Sequence, residues 1–103
     1  MIVYEVNLVV DAAIYDAYRA WLDAHIGAIL ALPGFLGAEL FACDEPGADA
    51  MRRALCVQYR LRDATALEAY LRDHAPAMRA DGQARFGGRF SATRRVLHPL
   101  TMH

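Results

Sequence analysis

Leu32-Pro33-Gly34-Phe35-Leu36-Gly37 is the stretch on which the fold turns, because the period of the apolar residues changes there from helical to extended. Upstream, Ile14, Tyr18, Trp21, Leu22, His25 and Ile29 recur at the spacings of one helical face, on a helix that runs to about Ala31 and stops at Leu32-Pro33-Gly34. Before it, Ile2 to Val10 is rich in β-branched residues and reads as a strand, and Asp11 is placed to cap the helix. Downstream, Phe35 to Cys43 and Arg53 to Leu61 read as the strands of a hairpin, joined by a turn from Asp44 to Met51 that contains Pro46 and Gly47. Asp63 or Thr65 starts a second helix, with Leu67, Tyr70, Leu71, His74 and Met78 on one stripe. Pro76 ends or bends that helix, since it removes a donor, and a further helical piece reaches about Arg85. Gly87-Gly88 leads into a last strand, Arg89 to Leu97, and Pro99 to His103 is a tail.

The order strand, helix, strand, strand, helix, strand predicts two right-handed crossovers on one face of a four-stranded antiparallel sheet. That is an α+β, ferredoxin-like βαββαβ domain over residues 1–98, with residues 99–103 as a C-terminal tail. At 103 residues such a domain is marginal alone, and an apolar content of 56% exceeds what it can readily bury. A homodimer is the simplest sink for the excess. With 11 basic and 12 acidic residues there is no global field to attract nucleic acid or an anionic membrane. The longest apolar stretch, Ala24 to Ala42, is broken by Pro33, Gly34 and Glu39 and is no membrane span. Nothing before the first strand resembles a signal peptide, since Glu5 interrupts the apolar run, so a reducing cytoplasm is expected. A hairpin symmetric about Asp49 and Ala50 sets Cys43 opposite Cys56, which leaves open both a disulfide and, as the favoured reading, two small buried hydrophobes.

Alternation sorts the strand faces. Tyr4, Val6, Leu8 and Val10, with Leu36, Ala38, Leu40 and Ala42, and Leu55, Val57, Tyr59 and Leu61, form the apolar set expected beneath the helices. The opposite face is mixed, with Glu5, Asn7, Phe35, Glu39, Phe41, Cys56, Gln58, Arg60 and Arg95, and its register sets Glu39 opposite Arg60. Too apolar for open water, this face is predicted to meet a second copy of itself.

Leu32-Pro33-Gly34-Phe35-Leu36-Gly37, closing a helix and opening a strand, resembles the same junction in the dimeric α+β barrel superfamily, which includes the antibiotic-biosynthesis-type monooxygenases. More closely, Tyr4-Glu5-Val6, His25-Ile26, Val57-Gln58-Tyr59, Tyr70 through Pro76, Arg85-Phe86-Gly87 and Arg94-Arg95-Val96-Leu97 resemble an uncharacterised bacterial family of about 100 residues within that superfamily. The resemblance spans nearly the whole chain. It implies the fold, a dimer built by packing two sheets, and a small apolar pocket between sheet and helices, but no assigned reaction. In the related monooxygenases polar side chains assist oxygenation without a metal or flavin in some members, while others degrade haem. Asn7 is placed as the haem-degrading members would want it, whereas Leu61 stands where their pattern has Trp, which argues against haem, and Trp21 on its helix does not replace it.

Tyr4, Trp21, His25, Tyr59, Tyr70 and His74 all fall on the sides of their elements that enclose the space between sheet and helices. Neutral imidazole, phenol and indole suit a planar phenolic ligand, with His25 and His74 as the candidate proton-transfer groups and Tyr4, Trp21, Tyr59 and Tyr70 as the ligand-binding set. Against this stands a plain packed core in which the rings satisfy one another, and for His74 a role in orienting the bend before Pro76. No metal is expected, since the histidines have no His or Cys partner at ligand spacing, and no cofactor is expected either. Cys56, on the far face, has no imidazole to activate it. The same strand order builds RNA-recognition domains, but Cys56 and Gln58 occupy the positions where stacking aromatics would stand. Two readings from different classes therefore remain, a ligand-binding or catalytic dimer and a structural dimer without a site. A ligand-sized cavity beside His25 separates them.

Overall fold

The strands and helices follow one another as the periodicity requires. The computed structural model describes residues 1–44, 50–101 and 103. It comprises β1 (Ile2–Asp11), α1 (Tyr15–Leu30), β2 (Phe35–Cys43), β3 (Arg52–Leu61), α2 (Ala64–Asp73), α3 (Ala75–Phe86) and β4 (Phe90–Leu97), with single 3-10 turns at Ala12–Ile14 and Gly87–Arg89. All pairings are antiparallel and the sheet order is β2-β3-β1-β4, the ferredoxin-like arrangement. Most of the expected turn, residues 45–49, lies outside the described residues, as does Met102 of the tail.

Local signals explain most boundaries. Asp63 caps α2, its carboxylate accepting from the Ala66 amide at 2.9 Å. Asp11 does not cap α1: the chain first makes the turn Ala12–Ile14, Asp11 makes no side-chain cap bond, and its carboxylate instead lies 3.8 Å from Arg89. The two C-terminal helices part at His74, whose backbone (φ −126°, ψ −36°) leaves the helical region, and Pro76 then sits in the first turn of α3, where its missing N–H costs nothing.

The core lies between the sheet and the helices. Ile2, Tyr4, Leu8 and Val10 of β1 and Leu55, Val57, Tyr59 and Leu61 of β3 are buried there against Tyr18, Leu22 and Ile29 of α1 and Ala66, Leu67 and Tyr70 of α2. Expectation fails at the start of β2. A bulge between Phe35 and Gly37 pairs Phe35 with Leu61 and Gly37 with Arg60, so Phe35 joins the helix side and Leu36 is left 60% exposed. Phe35 sets its ring edge-on to Tyr59 and Tyr70, at 5.8 and 5.1 Å.

The hairpin is also shifted by two residues from the expected register: Glu39 opposes Gln58, Phe41 opposes Cys56 and Cys43 opposes Ala54. A two-residue slip keeps every side chain on its face, so alternation could not have detected it. Glu39 still meets Arg60, diagonally, as an ion pair. Cys43 and Cys56 are not opposite each other, and both are thiols. On that outer face Phe41 and Val9 are 45% and 40% exposed. Among the described residues no helix is long and apolar enough to cross a membrane.

Candidate functional site

A cavity of about 310 Å³ lies between the sheet and the helices. Alternation along the strands supplies its floor: Tyr4, Val6 and Leu8 from β1, Val57 and Tyr59 from β3, and Phe90, Ala92 and Arg94 from β4. The walls are Tyr18, Trp21, Leu22, His25 and Ile29 of α1, Tyr70 of α2, and Met78, Arg79, Gly82 and Gln83 of α3.

The α1 wall is an aromatic stack. Trp21 and His25 are one turn apart and lie nearly parallel, with centroids 4.4 Å apart and planes at 23°. Trp21 Nε1 donates to Asp81 Oδ2 at 2.8 Å, which ties α1 to α3, and Asp81 also accepts from Arg85 at 3.2 Å. The indole comes so near α3 that a Cβ on Gly82 would lie 3.0 Å from Trp21 Cη2, which accounts for a glycine inside this helix. Tyr18 is buried behind the stack, 5.4 Å from Trp21 and 5.1 Å from Phe90.

The opposite end is a tyrosine cluster. Tyr4 lies 6.2 Å from Tyr59 and 6.0 Å from Tyr70, and its hydroxyl accepts from Arg79 Nη2 at 3.0 Å. Burial pushes the Tyr18 and Tyr70 phenols up to about 12 and raises that of Tyr59 as well, so all three stay protonated near neutrality. His25 is shifted the other way: burial and the Arg94 charge lower it against a smaller rise from Asp81. The site thus holds neutral phenols beside a neutral imidazole able to accept a proton.

Five of the six residues singled out from the sequence, Tyr4, Trp21, His25, Tyr59 and Tyr70, line this one cavity. His74 does not. It sits at the break between α2 and α3, where its amide donates to the Tyr70 carbonyl and its carbonyl accepts from the Met78 amide. Its imidazole left the stripe because the helix breaks there. Sequence reasoning missed Arg79, Gln83 and Arg94. Arg94 shares the parity of Phe90 and Ala92 along β4, a signal obscured by its charge. Asn7 does not line the cavity and donates to Glu5 on the outer face, and Leu61 is fully buried in the core.

The outer face carries a separate polar cluster. Glu5, 3% exposed, accepts from Gln58 at 2.9 Å, from Asn7 at 3.0 Å and from Arg95. Arg95 above all, then Asn7 and Gln58, hold its carboxyl down at about 2. Beside it the Cys56 thiol is raised to about 11, first by burial and then by Glu5, which favours the protonated form near neutrality. Among the described residues no group of His, Cys, Asp or Glu could hold a metal ion.

Residues 1–100 match the model of a domain of unknown function, DUF4286. The chain belongs to the DUF4286 family. No curated protein matches it. Solved structures do. An inferred antibiotic-biosynthesis monooxygenase of Deinococcus radiodurans superposes with a TM-score of 0.74 at 12% identity, over 100% of the DUF4286 chain and 96% of its own. Rv0793 from Mycobacterium tuberculosis gives 0.66 at 24% identity, over 99% and 98%. A variant of SnoaB, a cofactor-independent oxygenase from Streptomyces nogalater, gives 0.64 at 16% identity, over 98% and 95%. At these identities the likeness establishes the fold that the DUF4286 chain shares with the antibiotic-biosynthesis monooxygenases.

Proposed function

We propose that the protein is a cytoplasmic homodimer that binds a small, largely apolar or aromatic molecule in the cavity between sheet and helices and, through His25, moves a proton on it. The observation that carries this reading is a cavity of about 310 Å³ bordered by His25, at the lower end of the size range of ligand sites. Trp21 is the stacking wall, and Tyr4, Tyr59 and Tyr70 supply phenols to orient a polar edge of the ligand. A ligand with an acidic C–H or O–H gives its proton to the imidazole. Return of that proton to another carbon is an isomerisation. Capture of the carbanion by dioxygen as co-substrate, with one oxygen retained as a carbonyl and the other leaving as water with the two hydrogens of the original carbon, is a monooxygenation. The fold shared with a cofactor-independent oxygenase supports this class.

The test is His25→Ala. A cavity-facing ring makes few packing contacts, so the variant should keep its thermal stability while small-ligand binding falls, as measured in a screen of phenols, quinones and short aromatic acids. A ring that instead fills a closed core leaves a hole and an orphaned partner, at a cost of roughly 2 to 4 kcal/mol. A large loss of stability, with no ligand found for the wild type, would leave a structural dimer without a site.

A further inference from the structure

We infer that the ligand of this cavity is an anion, an aromatic carboxylate held by its charged end between Arg79 and Arg94 with its ring against Trp21 and His25. The inference rests on the cavity being a ligand site and adds the charge of what fills it. No Asp or Glu lines the cavity, yet two arginines do. Several arginines elsewhere lie in ion pairs, Arg60 against Glu39, Arg85 against Asp81 and Arg95 against Glu5 among them. Among the described residues neither Arg79 nor Arg94 is in an ion pair, and the hydrogen bond found for Arg79 goes to a hydroxyl, that of Tyr4, and not to a carboxylate.

One arginine stands on the sheet floor and the other on the α3 wall. Arg94 follows Phe90 and Ala92 on the cavity face of β4 and pairs in register with Val6, another lining residue. Arg79 stands one turn before Gln83 on α3, and both line the cavity. Both arginines are solvent-exposed over the residue as a whole, and the Arg79 head nonetheless reaches the Tyr4 hydroxyl at the cavity. Asp81, the carboxylate nearest to His25 in effect, is already engaged by Trp21 and Arg85 and does not line the cavity. Two cations without an ion-pair partner beside a largely apolar cavity favour an anion, and guanidiniums match a carboxylate in shape as well as charge. The Arg94 charge is felt across the site, since it also opposes the upward shifts of Tyr18, Tyr59 and Tyr70.

The experiment compares matched acids and amides: benzoate with benzamide and cinnamate with cinnamamide, by calorimetry at neutral pH on the wild type and on Arg94→Gln. Arg94 is chosen because among the described residues it makes no ion pair whose loss would unfold the chain. The wild type should bind the acids at least tenfold more tightly than the amides, with a preference that weakens as salt is added, and Arg94→Gln should lose most of that preference. Should Arg94→Gln fail to fold, Arg79→Gln is read in the same way. Equal affinity for acid and amide overturns the anion while leaving the cavity as a ligand site. Binding of neither overturns both.

Discussion

Glu5 shows how much one side chain can carry on a sheet face that no helix covers. Its carboxylate takes hydrogen bonds from Asn7 on its own strand, from Gln58 across β3 and from Arg95 across β4, and the latter two are its direct register partners. Charge-assisted bonds of this kind favour the ionised form, which is why the group is held at about 2 rather than its ordinary 4.5. Between those two values the unfolded chain binds a proton that the folded chain refuses. The resulting stability is therefore fully present above about 4.5 and is lost as the pH falls toward about 2. Chemical denaturation over a series of acid pH values should show this decline, and Glu5→Gln should flatten it. An unchanged slope in the variant would mean that another carboxylate governs acid stability.

At the scale of elements, the start of β2 separates what a sequence pattern reveals from what it hides. Period-two alternation placed Tyr4 and Tyr59 on the cavity side, and the helical period placed Trp21, His25 and Tyr70 there, because each lies in an unbroken element whose phase holds. Phe35 and His74 were misplaced for a common reason: each sits where the phase resets, one at a bulge and one at a helix break. Arg79 and Arg94 escaped notice because charge reads as solvent exposure, although a long stem lets an arginine serve a cavity from its rim. The bulge reverses the expected ranking of neighbours. Phe35→Ala should cost about 3 kcal/mol or more, since the ring packs on Tyr59 and Tyr70, whereas Leu36→Ala should change stability by less than about 0.5 kcal/mol. Denaturant midpoints for the two variants, if found in the opposite order, would show that Phe35 faces outward as simple alternation had it.

For the whole molecule the open question is what meets the outer sheet face, with Val9 and Phe41 at its surface and Glu39 paired to Arg60 across it. We expect a second copy, burying more than about 1,200 Å² in total. Light scattering at micromolar concentration should give a dimer mass, and Phe41→Glu should shift it to the monomer. The Glu39–Arg60 pair supplies an independent reading. Their side chains are 49% and 35% exposed in a single subunit, where such a pair couples by less than about 1 kcal/mol. Inside a dimer interface, loss of one partner leaves the other buried and unpaired, and the coupling in a double-mutant cycle should rise to about 1 to 3 kcal/mol. A monomeric mass together with strictly additive mutants would mean that this face meets solvent.

The bond from Trp21 to Asp81 and the close seat of the indole on Gly82 bear on how such a protein chooses its ligand. A wall already held in place loses little freedom when something settles against it, so less of the contact energy is spent on ordering the receptor. The same preorganisation denies the wall the ability to yield. A guest must fit a fixed outline beside that wall, so shape becomes a filter in its own right alongside charge.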